Sequence, residues 1–496
     1  MRLFDDLHDL TIDEFHQALR ERRLTAVELV DWYLGRIEAH NEPGAGLRAV
    51  VTVNPEAAQE AAACDSFLAT HDQLRGSLHG VPVLVKDQAE TAGLRTTFGS
   101  ILFDRYVPDS DSTVVARLRQ AGAVILAKTA MCDFAAGWFS SSSMTGHTSN
   151  PYDTTREPGG SSAGTGAGIA ANFGLVGIGE DTGGSIRIPA SFNNLFGLRV
   201  TTGLISRFGF SPLVHFQDTP GPVGRSVADV AKLLDAITGY DPNDPFTVTA
   251  SAAPNAGGYA RAVDDEAPPG NWRVGVLETA FGSDTNADAL PVNRVVRGAV
   301  AGLQAQGVAV TADLEIDELA NWISGTSVYA IQSRADITDF LSRRPHAPVS
   351  SFDEIYASGR FDPLNDLFHD IAKGADTPAD DPDCLRRRLD QEHFRRLILN
   401  MFATNEIDFM VYPTVQVLPP THRELAEAKY QALTFPTNTV IGSQAGLPAL
   451  SVPVGFSDGG LPVGMEVLGP PLSEARMLQF ARAWELAAQP RVAPSL

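Results

Sequence analysis

Three short stretches of the 496-residue chain carry side chains that could do chemistry together: "GEDTGGSIRIP" (179–189), "EPGGSSAGTGAG" (157–168) and "GVPVLVKD" (80–87). In the first, Ser185 stands behind Gly183 and Gly184, so unshielded backbone N–H groups flank a hydroxyl, an arrangement that binds an anion or a developing oxyanion. The same letters also suit a tight turn. In the second, Ser161 and Ser162 follow Gly159 and Gly160 and precede small residues suited to close packing. A glycine-rich linker is the plainer reading, but a linker has no need to run on into the helix-compatible "AGIAANFGLVGIG" and a second Gly-Gly-Ser. In the third, Lys86 follows "VPVLV", a run that is normally buried, where an ammonium is costly unless paired. It pairs with Asp87, snorkels at a strand end, or serves as a base whose amine burial keeps neutral.

The remaining chemistry-bearing patterns are weak. Eleven histidines are present, none in HExxH spacing or an evident ligand cluster, and His147 and His215 read as polar packing residues. No histidine base for Ser185 is identifiable, and Arg187 occupies the last glycine of a GxSxG elbow. "GTGAG" does not complete GxGxxG, and no GxxxxGK[ST] is present, so nucleotide binding is poorly supported. A net charge of −22 repels a phosphate backbone, and the basic run "LRRRL" at Arg386 reads as a solvated helix face. Cys64, Cys132 and Cys384 lack metal-ligand spacing and read as free thiols in a reducing compartment. With neither a leader pattern nor a membrane-length apolar run, the expectation is a soluble, cytoplasmic protein.

The elements that must position these residues alternate. Thr11 with Glu14 and Thr25 with Glu28 have capping-box spacing, and predict two opening helices. "SDSTVVARLRQAGAVILAKT" predicts a capped helix, a stop at Gly122 and a buried strand over 123–128. "SVADVAKLLDAITG" from Ser226 predicts a helix ended by Gly239; "NWRVGVLE" predicts a strand, 289–306 a helix stopped by Gly307, and "VAVTAD" another strand. Residues 315–405 turn helical and polar, with a mobile acidic loop at 374–383, and read as an insertion. Strand-like "DFMVYPTV" and "ALSVPVGF" then return to the sheet before a last helix near Ser473.

The segment "GGSSAGTGAGIAANFGLVGIGEDTGGSIRIPASFNNLFGLR" resembles the signature of the amidase signature family of serine hydrolases. The Ser161-to-Ser185 spacing agrees with the family pattern, and "GVPVLVKD" matches the segment bearing its lysine. The resemblance covers nearly the whole chain, with 315–405 the least typical part. It implies an α/β fold of one catalytic domain over 1–496: a large mixed central β-sheet, helices on both faces, and a helical substrate-side insertion. It further implies Ser185 as nucleophile, Ser161 as bridging serine across a cis Gly160–Ser161 peptide, and Lys86 as terminal base. Backbone N–H groups of Thr182, Gly183, Gly184 and Ser185 would form the oxyanion hole, braced by Asp181 and Arg187. No metal or organic cofactor is called for. "GED" in place of the commoner Gly-Thr-Asp, and "SSAGTGAG" in place of a run opening Ser-Ser-Gly-Gly, depart from the pattern without touching the triad.

By the same analogy Met131–Asn150 lines the acyl pocket, with Phe134, Gly137, Trp138 and Phe139 as its wall and Phe210 and Phe216 as further candidates. Ordinary core is the competing reading for these aromatics. The expected activity is hydrolysis of small-molecule amides, apolar or aryl ones favoured, with carbamates and esters compatible because they share the tetrahedral route. Alternatives are the amidase subunit of a glutamine-dependent tRNA amidotransferase, or a binding protein on the same scaffold. A homodimer is the family-based expectation; nucleic acid and membrane are not expected partners.

Overall fold

The computed structural model describes residues 7–42, 46–254, 257–264 and 271–496. Among these, β1 (Val50–Val53), β2 (Pro82–Lys86), β3 (Val124–Thr129), β4 (Val176–Asp181), β5 (Phe196–Arg199), β6 (Thr219–Gly224), β7 (Arg273–Leu277), β8 (Ala309–Leu314), β9 (Phe409–Pro413), β10 (Ala449–Phe456) and β11 (Pro462–Leu468) form one sheet. Its order is β1-β3-β2-β4-β6-β5-β10-β11-β9-β7-β8. Parallel pairing joins β3, β2 and β4 at one end and β9, β7 and β8 at the other. The centre, from β4 through β6, β5, β10 and β11 to β9, is antiparallel. Every residue of β2, β3 and β4 is buried, as strands covered on both faces require.

Local signals set most element ends. Both N-terminal capping boxes form: Thr11 and Thr25 accept from the N–H of Glu14 and Glu28, whose carboxylates accept from the Thr N–H in return. Ser112 caps the helix Thr113–Gln120, and Gly122 at φ +90° turns the chain into β3, one residue later than the sequence suggests. Ser226 caps Val227–Ile237, which stops at Thr238, just before Gly239. The last helix, Glu474–Ala488, follows Ser473.

Two helices place the chemistry. Ala163–Ala170 starts immediately after Ser161 and Ser162, and its small residues let it lie against β2 and β4. Arg187–Phe192 starts two residues after Ser185 and packs against β5, β10 and β11.

Residues 315–405 are helical, with Leu319–Thr326, Tyr329–Ser342, Phe352–Ser358, Leu367–Lys373 and Cys384–Thr404. Apolar residues of the three middle helices share a second core with Phe98, Phe103, Phe134, Trp138 and Phe139, whereas Leu319, Phe394, Ile398 and Phe402 of the first and last join the main core. The acidic loop at 374–383 contains one 3₁₀ turn, Pro378–Asp380, and Asp376 pairs with Arg334 at 2.6 Å. The basic run is largely the solvated face the sequence suggests, with Arg386 and Arg388 exposed and Arg387 half-buried. Arg386 is a surface residue paired with Asp383 and Asp390, but Arg387 donates to the carbonyls of Ser324 and Ser327 at 2.6 and 3.0 Å. Arg388 lies over the Phe216 ring, 3.5 Å from its centroid. The run therefore docks its helix onto the end of Leu319–Thr326. Among the described residues no helix is long and apolar enough to cross a membrane, and no disulfide joins the three cysteines.

Candidate active site

Lys86 is the last residue of β2 and is fully buried. Its Nζ lies 2.8 Å from Ser161 Oγ and 3.1 Å from the carbonyl of Glu180 on the neighbouring β4. Asp87 does not pair with it. The next side chain along the chain points away, so Asp87 reaches Lys128 at 3.3 Å and accepts from the Thr97 N–H at 2.9 Å. Burial pushes the Lys86 amine below the ordinary lysine range, partly offset by the Glu180 carboxyl. Ser161 follows a cis Gly160–Ser161 peptide. Gly160 lies directly on the Phe139 backbone, where any Cβ would collide.

Ser185 follows β4 through the loop 182–184 and is 1% exposed. Each carbonyl of this loop is anchored outward. Thr182 O accepts from Gln217 Nε2 at 2.7 Å, Gly183 O from Thr439 Oγ1 at 2.7 Å, Gly184 O from Ile188 N at 2.8 Å, and Ser185 O from Ser162 N at 3.1 Å. None of the four N–H groups donates a hydrogen bond among the described residues. Fixing the carbonyls on one side orients the amide dipoles so that the donors are available on the other, the requirement for stabilising an oxyanion. The Ser185 hydroxyl likewise makes no hydrogen bond among the described residues. Ser162 ties the two serine stretches together, its Oγ also meeting the Glu180 backbone N and O at 3.3 Å.

Behind the loop sits a buried charge network. Arg187 reaches Asp181 at 3.0 Å, Ser443 Oγ at 2.7 Å, and Glu466; Arg199 reaches Asp181 at 3.1 Å. Burial raises the Asp181 carboxyl, but the two guanidiniums outweigh it and hold it down to about 2. Asp181 also accepts from the Ile186 N–H at 3.2 Å, fixing the residue after Ser185. Both charges brace the loop from outside, and neither is placed as an acid or base.

Of the pocket candidates, Trp138 stands against the loop: its ring and the Tyr329 hydroxyl occupy the space a Cβ on Gly183 would need. The two rings meet edge to face at 5.7 Å, and the indole N–H donates to Ala432 O at 2.5 Å. Phe139 packs on Phe435 at 5.0 Å. Phe134 is wholly buried among Phe98 and Phe103, with ring separations of 5.8 and 5.5 Å. Gly137 accepts from the Cys132 thiol at 3.8 Å. Phe216 lines a cavity of about 480 Å³ with Gln217, Phe246, Arg388 and Gln444. Sequence reasoning misses Tyr329, Gln217, Thr439 and Glu180. The first three lie far from both serines along the chain and carry no motif; only Glu180 leaves a trace, as the departure in "GED".

The histidines also need correction. His147 is not isolated: with Glu157 and His422 it offers ligand atoms within 4.8 Å of one another. Glu157 is fully buried and accepts from Ser140 N at 2.8 Å and Ser140 Oγ at 3.1 Å, with His422 Nδ1 at 3.0 Å and His147 Nδ1 at 3.7 Å. Ser141 Oγ occupies His147 Nδ1 at 2.9 Å. Nδ1 of His422 is engaged by Glu157 and Nδ1 of His147 by Ser141, while His422 Nε2 is buried without a hydrogen-bond partner among the described residues, so the three side chains form one hydrogen-bonded cluster. His215 packs against Phe246 as expected of a polar packing residue.

The family model described as Amidase matches residues 28–478. The chain belongs to the amidase family. Its sheet flanked by helices is the amidase-signature fold, and the family's chemistry is hydrolysis of C–N bonds. The amidase is 34% identical over 511 residues to a glutamyl-tRNA(Gln) amidotransferase subunit of Synechococcus sp. (strain CC9605), covering 98% of this chain and 97% of the relative. It superposes on native peptide amidase from Stenotrophomonas maltophilia with a TM-score of 0.86 at 31% identity, covering 99% of both chains. The corresponding values for a glutamyl-tRNA(Gln) amidotransferase subunit from Thermotoga maritima are 0.74 and 25%, over 100% of this chain and 99% of that one.

Proposed function

We propose that this amidase is a stand-alone hydrolase of small-molecule amides, working through a Ser185 acyl-enzyme. The observation that carries this is the loop 182–185, whose four carbonyls are held and whose four N–H groups are left free beside an unbonded serine hydroxyl. Ser185 attacks the carbonyl, and its proton passes through Ser161 to the buried amine of Lys86, 2.8 Å from Ser161. The loop N–H groups stabilise the tetrahedral oxyanion, a contribution of about 100–1000-fold per donor. As the C–N bond breaks, the proton returns through Ser161 to the departing amine. Water then repeats the sequence in reverse on the ester, freeing the acid.

Trp138 and Tyr329 over Gly183, with Phe139 and Phe435 beside them, favour apolar or aryl amides over short polar ones. Carbamates and esters present the same carbonyl to the same donors and belong in the same test. Turnover of the purified chain on an anilide, acetamide, an aryl carbamate and an aryl ester decides the class. The reading predicts anilide well above acetamide; equal rates on the two contradict the aryl preference.

A second reading, as one component of a glutamine-dependent tRNA amidotransferase, is favoured by the 34% identity to a protein of that name. The higher TM-score to peptide amidase supports the stand-alone reading instead. Hydrolysis by the chain alone, without partner proteins, separates them.

A further inference from the structure

Glu180 precedes the bracing Asp181 and is fully buried. Its Oε2 lies 3.5 Å from Lys86 Nζ, and its Oε1 lies 3.3 Å from Thr182 Oγ1. Thr182 Oγ1 also lies 2.6 Å from Asp218 Oδ1, and Asp218 accepts from Leu213 N and Val214 N as well. These contacts form a chain from Asp218 to Ser161, and its hydrogens can be counted.

Thr182 has one hydroxyl proton. Asp218, satisfied by three donors, takes it at the shorter distance. The Glu180–Thr182 contact then has a hydrogen only if Glu180 Oε1 supplies it. Lys86 makes three contacts: Ser161 Oγ, the Glu180 carbonyl and Glu180 Oε2. A neutral amine fills them with two N–H bonds, to the two Glu180 oxygens, and one lone pair that accepts from Ser161. That lone pair is what the relay needs, since an ammonium cannot take the Ser161 proton.

We propose that Glu180 is the proton-holding partner of Lys86: the one proton the pair shares in the resting enzyme sits on the Glu180 carboxyl, leaving the lysine amine neutral. During attack the Ser185 proton moves to Ser161 and the Ser161 proton to Lys86 Nζ. The pair then carries two protons, one on each group, and returns to one when the departing amine takes its proton back. Glu180 touches neither substrate nor nucleophile, so it is a positioning residue acting through Lys86.

The charged surroundings agree. Burial pushes the Glu180 carboxyl up to about 8, reinforced by Asp218 and Asp181 and opposed by Lys86 and by a hydrogen bond with the Gln88 side chain. The other groups facing Lys86 are Cys132 and Asp181, the former a thiol that burial keeps protonated.

The inference rests on the acyl-enzyme reading, so its test has one arm that needs no turnover. In infrared spectra of wild type minus Glu180→Gln at pH 7, a protonated-carboxyl band is expected, titrating away near pH 8. Glu466, also pushed toward neutral by burial, is present in both proteins and cancels. In the kinetic arm, kcat/KM of Glu180→Gln keeps the wild-type acid limb, because the amide mimics a neutral acid. No protonated band at pH 7 overturns the proposal. So does an acid limb displaced to lower pH in the variant, the mark of a carboxylate that had been stabilising the ammonium. A band present in a protein that hydrolyses no amide leaves the proton on Glu180 and sinks the hydrolase reading alone.

Discussion

Thr439 Oγ1 donates to the carbonyl of Gly183 at 2.7 Å, joining residues 256 positions apart. This hydroxyl joins the helix Thr439–Gln444 to the loop beside Ser185 and turns the Gly183 peptide so that its neighbouring N–H groups stay available. Thr437 Oγ1 supports it in turn at 2.7 Å.

Thr439→Val keeps the shape and removes the donor. The Gly183 carbonyl is then buried without a partner, at a cost of about 1–3 kcal/mol in stability. The peptide is also freed to rotate, so kcat should fall by about tenfold or more with KM little changed, short of the full loss of an oxyanion donor. Steady-state kinetics beside thermal unfolding test both halves.

Gly183→Ala puts a Cβ against the Trp138 ring and the Tyr329 hydroxyl. Neither neighbour is free to give way, because Trp138 is held by Ala432 O and Tyr329 by Gln217 at 3.2 Å. Overpacking of this kind costs about 1–3 kcal/mol. The variant should fold with a lowered Tm and lose most activity. The double variant with Trp138→Leu should recover part of the Tm, because that removes one of the two colliding groups.

Asp181 gives the pH dependence of stability. Its carboxyl is held at about 2 against an ordinary 3.8, so the folded state binds that proton less readily than the unfolded chain. The stabilisation is fully present above about pH 4 and is lost as pH falls toward 2, on the order of 2 kcal/mol in all. Asp181→Asn leaves Arg187 with only Glu466 opposite it and Arg199 without a carboxylate, and should cost about 3–5 kcal/mol at pH 7. The difference in unfolding free energy between the two proteins should shrink between pH 4 and pH 2. Urea unfolding at stepped pH measures it.

What the sequence discloses is what is local. Capping boxes, glycine stops and buried apolar runs act within a few residues, so the helices at Ile12 and Ala26 and the strand carrying Lys86 are legible, whereas the run 167–179 reads as helix-compatible and yet leaves its helix at Ala170 to enter the strand Val176–Asp181 before Ser185. The two serine stretches and the lysine segment are legible because each has its own residue pattern. Tyr329, Gln217 and Thr439 are not, since a lone tyrosine, glutamine or threonine acquires its role only when the fold brings it to the loop. His147 looks like a packing residue in the sequence because its network closes through His422, which lies hundreds of residues away. At Arg386–Arg388 the solvated reading holds for the exposed Arg386 and Arg388, but charge alone does not tell which arginine finds carbonyls or a ring.

The central claim is that Ser185 is the nucleophile. Intact-protein mass after treatment with a fluorophosphonate, for wild type, Ser185→Ala and Ser161→Ala, tests it most directly. The account predicts a single adduct on wild type that is absent from Ser185→Ala, with turnover lost in the same variant. An adduct that persists in Ser185→Ala, or disappears only in Ser161→Ala, would contradict it.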